Sequence, residues 1–370
     1  MSDSQYVKEV FHHLHRIPEK QLQEFQTSKF IAQELKKFGF HVEEGVGETG
    51  VIGRLDSGKE GTVLGMRADM DSLPFIIDDQ PVDIHACGHD AHSAMVLAAA
   101  KNVAEKGISR GKAVFIFQPA EETLKGAQLM VDTGKLSDLE ELVGIHLRPI
   151  HDTRLGEASP AVYHTACHRI RVKIKGVPAH SARLHLGVNT IEAAMLIINA
   201  VNAVRADPNV SHSVKATRIN TPGLADNIIP PRTDIIFDFR AESDDVMEEL
   251  KQKAETAISN GAQALGASTE IEFISSAPAA VYDERMVQFV GETIEELFGN
   301  TLEPAVTAGS EDFHIFTRAL NLKSAYIGLG ADLTPGLHHP EMTFDTKALG
   351  LGQELLQRIV FKKLASENEL

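Results

Sequence analysis

The sequence predicts an α/β fold, in which a mostly parallel sheet is covered by helices and a smaller α+β domain is inserted into it. Its 370 residues exceed the size at which one compact domain usually stops growing. Short apolar runs alternate with helical patterns and end in polar clusters, which favours a parallel sheet buried on both faces. After about Tyr163, strands instead alternate apolar with charged residues, as in a sheet with one solvated face.

The elements of the larger domain are predicted from the spacing of apolar residues. Residues 21–37 carry apolar side chains at helical intervals, and residues 92–105 have a similar helical pattern. The short apolar runs predicted to be core strands are residues 62–66, 113–117, 142–145 and 324–329. Ligands bind at the carboxyl ends of strands in such sheets, and the polar clusters of this chain fall at those ends.

The insertion is predicted at residues 164–276, with the β-α-β-β-α-β order of a split-βαβ, or ferredoxin-like, domain. Its predicted elements are strands at 168–175, 212–219, 234–240 and 270–275, and helices at 191–201 and 243–265. Residues 1–163 and 277–370 are then expected to form the metal-binding catalytic domain around this lid.

Composition excludes several classes of partner and compartment. With 36 basic and 52 acidic residues the formal charge is -16, which repels nucleic acid and anionic membranes. No apolar run approaches the ~20 residues of a membrane helix, and the first residues lack the pattern of a signal peptide. The only cysteines, Cys87 and Cys167, form no disulfide framework, so we expect a cytoplasmic protein in which Cys167 is an ordinary core residue.

The strongest local pattern lies in residues 85–92, which contain three histidines, Cys87 and Asp90. A thiolate and a neutral imidazole are good ligands for zinc and similar divalent metals, and Cys87 and His89 flank a single glycine. Asp90 is expected to hold a ligating histidine in the right tautomer. This density of ligand types favours a metal site over a polar loop with incidental histidines.

Two carboxylates and two further histidines follow other predicted strands. Adjacent carboxylates such as Glu121 and Glu122 repel each other unless a positive charge lies nearby, and a metal would supply it. We expect Glu122 to be a ligand and Glu121 to be a base. His146 and His338 are the other ligand candidates, because they too follow apolar runs predicted to be strands.

Other polar candidates lie outside this set. Asp69 and Asp71 follow a strand and are expected to orient ligand histidines from behind. In the predicted lid, His180, Asn227 and Arg240 offer an imidazole, an amide and a guanidinium, which suit an oxyanion or a substrate carboxylate.

Six motifs occur in order along nearly the whole chain: residues 15–19 (HRIPE), 67–74 (RADMDSLP), 85–90 (HACGHD), 117–122 (FQPAEE), 309–313 (GSEDF) and 336–339 (GLHH). In combination they resemble the dinuclear-metal aminoacylase/carboxypeptidase amidohydrolases, in the branch of hippurate hydrolases, N-acetyl-diaminopimelate deacetylases and auxin-conjugate hydrolases. The resemblance implies two divalent metal ions per subunit, with zinc, manganese, cobalt and nickel all open. The ligands it implies are Cys87, His89, Glu122, His146 and His338.

The resemblance also implies roles for the remaining candidates. Glu121 would be the base, His180 and Asn227 would polarise the substrate carbonyl, and Arg240 would bind the substrate carboxylate. The lid often mediates homodimers in such proteins, so monomer and dimer are both open. The stretch from Pro74 to His85 is shorter than in relatives, which leaves the substrate class open.

The predicted function is hydrolysis of the amide bond of N-acyl amino acids, or similar acylated small molecules, by a metal-activated water with Glu121 as general base. One alternative is a dipeptidase or aminopeptidase that uses the same dinuclear site. Another is a non-catalytic binder of acylated amino acids, although no ligand or base of the family pattern is lost here.

Overall fold

The structure is a computed structural model that describes residues 3–223 and 225–366. The chain divides into two compact units. The first contains Met1–Tyr163, Val281–Val306 and Glu311–Leu370, and the second contains His164–Ala280 and Thr307–Ser310. The second unit therefore runs four residues beyond the predicted end of the insertion at 276 and includes a short later segment. Its role as a lid or dimerisation domain stays a prediction.

The helices and strands of the first unit up to the insertion follow in chain order. They are α1 (Asp3–Leu14), α2 (Phe25–Lys37), β1 (His41–Val46), β2 (Gly50–Asp56), β3 (Val63–Asp69), β4 (Leu73–Ile77), β5 (Gln80–Ile84), α3 (His89–Lys106), β6 (Lys112–Gln118), α4 (Gly126–Asp132), β7 (Glu141–Pro149), β8 (Ala158–Ser159) and β9 (Val162–His164). A 3₁₀ turn, Glu121–Thr123, lies between β6 and α4.

The remaining elements belong to the second unit and to the chain's return. The second unit contains β10 (Ala166–Lys175), β11 (Ala179–His180), α5 (Thr190–Asn202), β12 (His212–Asn220), β13 (Ile228–Ile229), β14 (Arg232–Ala241), α6 (Asp244–Gln263) and β15 (Ser268–Ala277). After it come α7 (Glu284–Phe298), β16 (Ala305–Thr307), α8 (Phe313–Ala319), β17 (Lys323–Leu333) and α9 (Lys347–Lys363).

The main sheet of the first unit has the strand order β1-β2-β6-β3-β7-β17-β8. Its central strands β6, β3, β7 and β17 run parallel, whereas β1, β2 and β8 add antiparallel edges. The parallel centre is buried on both faces, and every residue of β3 and of β7 is buried. An α/β fold with a covered, mostly parallel sheet is thus confirmed.

One strand is longer than its apolar run predicts. The run at 142–145 led us to place His146 after a strand end, and that placement is wrong. β7 continues to Pro149, because His146, Leu147 and Arg148 pair with Gly328, Leu329 and Gly330 of β17. His146 therefore projects from within a strand, whose backbone pairing holds it more firmly than a loop would.

Helix α3 forms the centre of the first unit's core. It packs against α1, α9 and β3, and its residues from His89 to Ala100 are all buried. The many alanines on α3 allow its neighbours to approach closely on several sides. Because α3 begins at His89, this packing also fixes the position of its histidine-rich first turn.

The sheet of the second unit has the order β12-β14-β10-β15 and is antiparallel throughout. Apolar residues of β10 such as Ile170, Val172 and Ile174 are buried in a core with residues of α5 and α6. The alternate residues form ion pairs between strands, for example Arg169 with Asp238 at 2.8 Å. The alternation read in the sequence is therefore a division between a packed face and a charged face.

Within residues 3–223 and 225–366, every helix is too short or too polar to cross a membrane.

Candidate metal centre

Potential metal-binding side chains from several elements of the first unit lie close together. Within each group the donor atoms lie within 4.8 Å of one another. The groups are Cys87 with His89 and His146, Cys87 with Glu122 and His338, and His89 with Glu121 and Glu122. The structure thus brings together all the residues that the sequence suggested as ligands, and the predicted base lies among them. We call these six residues the metal-centre cluster.

Three pairs of possible ligand atoms in the metal-centre cluster lie 3.5–3.8 Å apart, so they face a common small space. Cys87 Sγ lies 3.5 Å from His146 Nε2, and Glu122 Oε2 lies 3.5 Å from His338 Nε2. His89 Nε2 lies 3.8 Å from Glu122 Oε1. Within the described part of the chain these last two atoms are buried without a hydrogen-bond partner. A buried, unpartnered nitrogen and oxygen beside a thiol sulfur fit a divalent cation, which all three could ligate.

A left-handed glycine presents Cys87 and His89 to one centre. Gly88 precedes α3 with a φ of +88°, a conformation that side chains other than glycine rarely adopt. A Cβ at this position would also lie 3.4 Å from the His92 ring and 3.4 Å from Leu147. The tight turn at Gly88 thus explains the spacing of the thiol and the imidazole.

Hydrogen bonds fix which nitrogen of two histidines faces the cluster. His89 Nδ1 donates to Asp71 Oδ1 at 3.1 Å, and His146 Nδ1 donates to the Leu147 carbonyl oxygen at 2.7 Å. Carboxylate and carbonyl oxygens only accept, so both histidines carry the proton on Nδ1. In the neutral form of each ring, the Nε2 lone pair is then free to point into the metal-centre cluster.

The aspartates do not all act as the sequence suggested. Asp90 does not hold a ligand candidate, since its carboxylate lies 2.7 Å from His15 Nδ1. Asp71 takes that place for His89. The two residues differ because Asp90 is on α3 itself, where the His89 side chain leaves in another direction, whereas Asp71 reaches His89 from the segment after β3.

His92 links three elements behind the cluster. It donates from Nδ1 to Asp69 Oδ1 at 2.8 Å and accepts the Leu147 N–H at Nε2 at 2.9 Å. Both ring nitrogens are therefore used inside the protein. His92 connects α3 to β3 and to the residue after His146, so it fixes the backbone next to a ligand candidate.

The turn that carries Glu121 and Glu122 is held by Asp71. The backbone N–H groups of Glu121 and Glu122 donate to the two carboxylate oxygens of Asp71, each at 3.1 Å. Ala120 precedes them with a φ of +51°. One carboxylate therefore positions His89 and both glutamates, a function that the sequence suggested for the histidine only.

A buried arginine, which sequence reasoning did not identify, contacts the two acids that border Glu121. Arg67 is fully buried and donates to Asp69 at 2.6 Å, to Gln118 at 2.8 Å and to Glu311 at 2.9 Å. Glu311 and Asp312 in turn lie within 4.8 Å of the Glu121 carboxylate. Arg67 and Glu311 each lie in one of the six motifs, and this was the only feature of the sequence that could have identified them as part of the site.

Burial sets the protonation of the cluster when no cation is bound. It raises the pKa of Glu122 to about 7 and raises the pKa of Glu121 well above its usual value, where Glu311 and Glu122 add to the shift. Burial, together with the charge of Glu122, also raises the pKa of Cys87. Burial and the neighbouring His92 lower the pKa of His146. The acids of this site retain protons that a cation would displace.

The second unit contains the other three candidates. His180 is exposed on β11, where its Nδ1 accepts the Ala182 N–H at 3.1 Å. Asn227 is exposed in the turn before β13, and its backbone carbonyl oxygen accepts the Ser181 N–H at 2.9 Å. The pairing of β11 with β13 therefore brings the segments of His180 and Asn227 together.

Arg240 is already paired within the second unit. Its guanidinium donates to Asp238 at 2.6 Å and 3.1 Å, and to the Ser310 hydroxyl at 2.6 Å. The stretch from Pro74 to His85 contains most of the β4–β5 hairpin of the first unit, with exposed Ile76 and Val82.

The sequence of this chain is similar to those of known proteins over most of its length. Residues 65–362 match the model of peptidase family M20/M25/M40. The chain is 30% identical to a hippurate hydrolase from Campylobacter jejuni, over 96% of each chain. It is 29% identical to an N-acetyl-L-cysteine deacetylase from Bacillus subtilis, over 96% of this chain and 88% of that protein.

A solved structure has the same fold. The YXEP protein of Bacillus subtilis, a dinuclear metal binding peptidase from the M20 family, superposes with a TM-score of 0.79 over 98% of each chain, at 24% identity. The family match covers far more than half of the chain, including every residue of the metal-centre cluster. This protein therefore belongs to peptidase family M20/M25/M40.

Proposed function

We propose that this protein is a metal-dependent amidohydrolase that cleaves the amide bond of N-acyl amino acids. The observation that carries the proposal is the convergence of a thiol, three imidazoles and two carboxylates in the first unit, all of them with buried side chains except His338. Relatives named for the hydrolysis of hippurate and the deacetylation of N-acetyl-L-cysteine support the N-acyl amino acid as substrate class.

The metal-centre cluster provides the ligands. Five residues would hold two divalent ions: Cys87, His89, Glu122, His146 and His338. Zinc, manganese, cobalt and nickel all suit this mixture of donors. When bound, such ions supply Lewis acidity and lower the pKa of a water molecule toward about 7.

Glu121 acts as the base in this proposal. It takes a proton from water at its carboxylate and returns it to the nitrogen of the leaving amine. Its Oε2 lies 4.0 Å from His89 Nε2, so the carboxylate borders the cluster. Glu311 and Asp312 lie on its other side, and their negative charge favours the protonated form that the second step needs.

The second unit provides groups for the substrate. His180, with Asn227 beside it, would donate to the carbonyl oxygen as negative charge develops there. Arg240 would bind the carboxylate of the amino acid, for which it would have to share its hydrogen bonds with Asp238. This unit is also the proposed surface for a homodimer. We place the protein in the cytoplasm, consistent with a thiol among the ligands.

The test is the release of amine from a panel of N-acetyl and N-benzoyl amino acids and free dipeptides, with metal-loaded protein. We expect turnover of acylated substrates and little or none of dipeptides. Turnover of dipeptides alone would instead identify a peptidase. The Cys87→Ser variant should lose metal and turnover, whereas Cys167→Ser, at the other buried cysteine, should keep both.

A further inference from the structure

Glu24 is a buried glutamate without a part in the chemistry described so far. It lies immediately before α2 and has no exposed surface. Its two carboxylate oxygens have separate partners. Oε2 accepts the Thr49 hydroxyl hydrogen at 2.6 Å, and Oε1 accepts the backbone N–H of Ala120 at 2.9 Å. Burying a carboxylate is costly, so these two contacts must offset a substantial desolvation penalty.

The contact with Ala120 joins Glu24 to the turn that carries the two glutamates of the cluster. The φ of Ala120 is +51°, in the left-handed region that is strained for a residue with a Cβ. Such a conformation persists only where the surroundings hold it. The N–H of Ala120 is buried there, and Glu24 is the acceptor that satisfies it.

Three consecutive backbone N–H groups of this turn point to two buried carboxylates. Ala120 donates to Glu24, and Glu121 and Glu122 donate to Asp71. The rest of the turn closes on itself, since the N–H of Leu124 donates to the Glu121 carbonyl at 2.7 Å. Glu24 and Asp71 are thus its two anchors from distant parts of the chain, and only Asp71 also contacts a ligand candidate.

We propose that Glu24 is a positioning residue, which accepts the Ala120 N–H and thereby holds the turn in the conformation that directs Glu121 and Glu122 into the metal-centre cluster. The parts taken by Glu121 and Glu122 rest on the proposed function, whereas the backbone contact does not. What Glu24 contributes is an acceptor oxygen at a fixed place.

The acceptor, and not the negative charge, should be the property that matters. Burial raises the pKa of Glu24, and the hydrogen bond from Thr49 offsets this only in part. Glutamine keeps an oxygen of the same reach for Ala120, and its amide N–H can donate to the Thr49 hydroxyl. Aspartate keeps the charge but withdraws both oxygens by one methylene. The two variants therefore separate acceptor geometry from charge.

The experiment compares Glu24→Ala, Glu24→Asp and Glu24→Gln with a control, Glu34→Ala. Glu34 is also largely buried, lies on the adjoining helix α2 and accepts the Tyr6 hydroxyl hydrogen at 2.8 Å. It therefore reports the general cost of losing a buried glutamate. The first readout is amide hydrogen exchange of the segment 118–126 in metal-free protein, compared with exchange in the second unit.

We expect local exchange of the segment 118–126 to rise at least ~10-fold in Glu24→Ala and to rise in Glu24→Asp, while Glu24→Gln and Glu34→Ala stay near wild type. The second readout is metal affinity by chelator competition. It should fall by ~10–100-fold in Glu24→Ala, the usual effect of losing an outer contact to a metal site, with glutamine restoring it. In the loaded enzyme, kcat should fall more than KM changes.

Two results would overturn the proposal. One is wild-type exchange and metal affinity in Glu24→Ala. The other is equal damage in Glu34→Ala or in Glu24→Gln, which would indicate general destabilisation or a need for charge. If Glu24→Ala does not fold, the contrast between Glu24→Asp and Glu24→Gln decides the question. Exchange and metal affinity require no substrate, so an absence of amide hydrolysis in the wild type would contradict the proposed function alone.

Discussion

Two ligand candidates of the first unit, His89 and His146, differ from the substrate candidates of the second in how firmly their own unit holds them, whereas the ligand candidate His338 is itself exposed. His89 and His146 are buried, and each has its Nδ1 proton committed to an acceptor. His180 is exposed, and its Nδ1 accepts from a backbone N–H two residues away. Asn227 is also exposed, in the facing turn.

This difference matches two tasks. A metal site needs ligands that are preorganised before the ion arrives, and the hydrogen bonds behind His89 and His146 provide this. A group that contacts substrate has to admit and release it, and an exposed side chain is free to make that movement. We therefore expect changes to the residues that hold the ligand candidates in the first unit to act on metal binding, and changes to the substrate candidates of the second to act on turnover of enzyme that is fully loaded.

The largest effect is expected from Glu121→Gln, which keeps the shape of the side chain but removes the base. With metal content equal to that of the wild type, kcat should fall by ~10²–10⁴-fold, the range typical of acid–base catalysis. Steady-state hydrolysis of an N-acyl amino acid, with metal quantified in the same sample, measures it. A decrease in kcat of less than tenfold would contradict the role of Glu121 as the base.

The next effect is expected from His180→Ala, which breaks the comparison if it changes metal binding. Loss of a donor to the developing oxyanion should lower kcat by ~10²–10³-fold and leave metal affinity unchanged. Chelator titration measures metal affinity and steady-state kinetics measure kcat, and both can be done on one preparation. His185→Ala, at another exposed histidine of the same unit, is the matched control and should stay near wild type in both measurements.

A smaller effect is expected from Asp71→Asn in the first unit. Asparagine keeps one acceptor oxygen, which can serve His89 and Glu121, but its amide nitrogen cannot accept the N–H of Glu122. Metal affinity should fall by ~10–100-fold. Asp90 contacts His15 instead, so Asp90→Asn should reduce metal affinity less. An equal or larger reduction would indicate that Asp90 holds a ligating histidine, as the sequence suggested.

The smallest effect concerns His168 in the sheet of the second unit. Burial and Lys251 lower the pKa of His168 to about 4, below the ~6.5 of an unfolded histidine. Its neutral form thus contributes stability that is fully present above pH ~6.5 and is lost as pH falls toward 4. Chemical unfolding at pH 7 and pH 5 should show a greater loss in wild type than in His168→Gln.

Allowing for solvent around this partly accessible ring, we expect the difference between the two proteins to be about 1 kcal/mol. If the free energy of unfolding changes by the same amount between pH 7 and pH 5 in the wild type and in His168→Gln, His168 titrates normally. Metal affinity should not differ between them, because the residue is outside the first unit.

Much of the fold follows from local patterns. The strands at Ala166–Lys175 and Arg232–Ala241 alternate strictly because one face is packed and the other charged, so period two is readable in the sequence. The core strands were recognised but not their ends. β7 extends beyond its apolar run because its pairing with β17 continues through His146 and Arg148, and pairing partners are not visible in a single strand's sequence.

For a similar reason, the sequence predicts only part of the candidate site. Cys87, His89 and Glu122 stand in dense motifs, so their chemistry could be read directly. Residues that hold them were harder to identify. Glu24 is 96 residues from Ala120, and Arg67 contacts Glu311 from 244 residues away. Nothing in local spacing separates these buried side chains from the many exposed acidic and basic residues of the chain.

The most direct measurement is amide hydrolysis by one preparation as metal is removed completely and then returned. If the metal-centre cluster is the catalytic site, turnover of N-acyl amino acids should disappear with the metal and return in proportion to added divalent ion, reaching its limit at two ions per chain. Undiminished turnover after complete removal of metal would contradict this central claim.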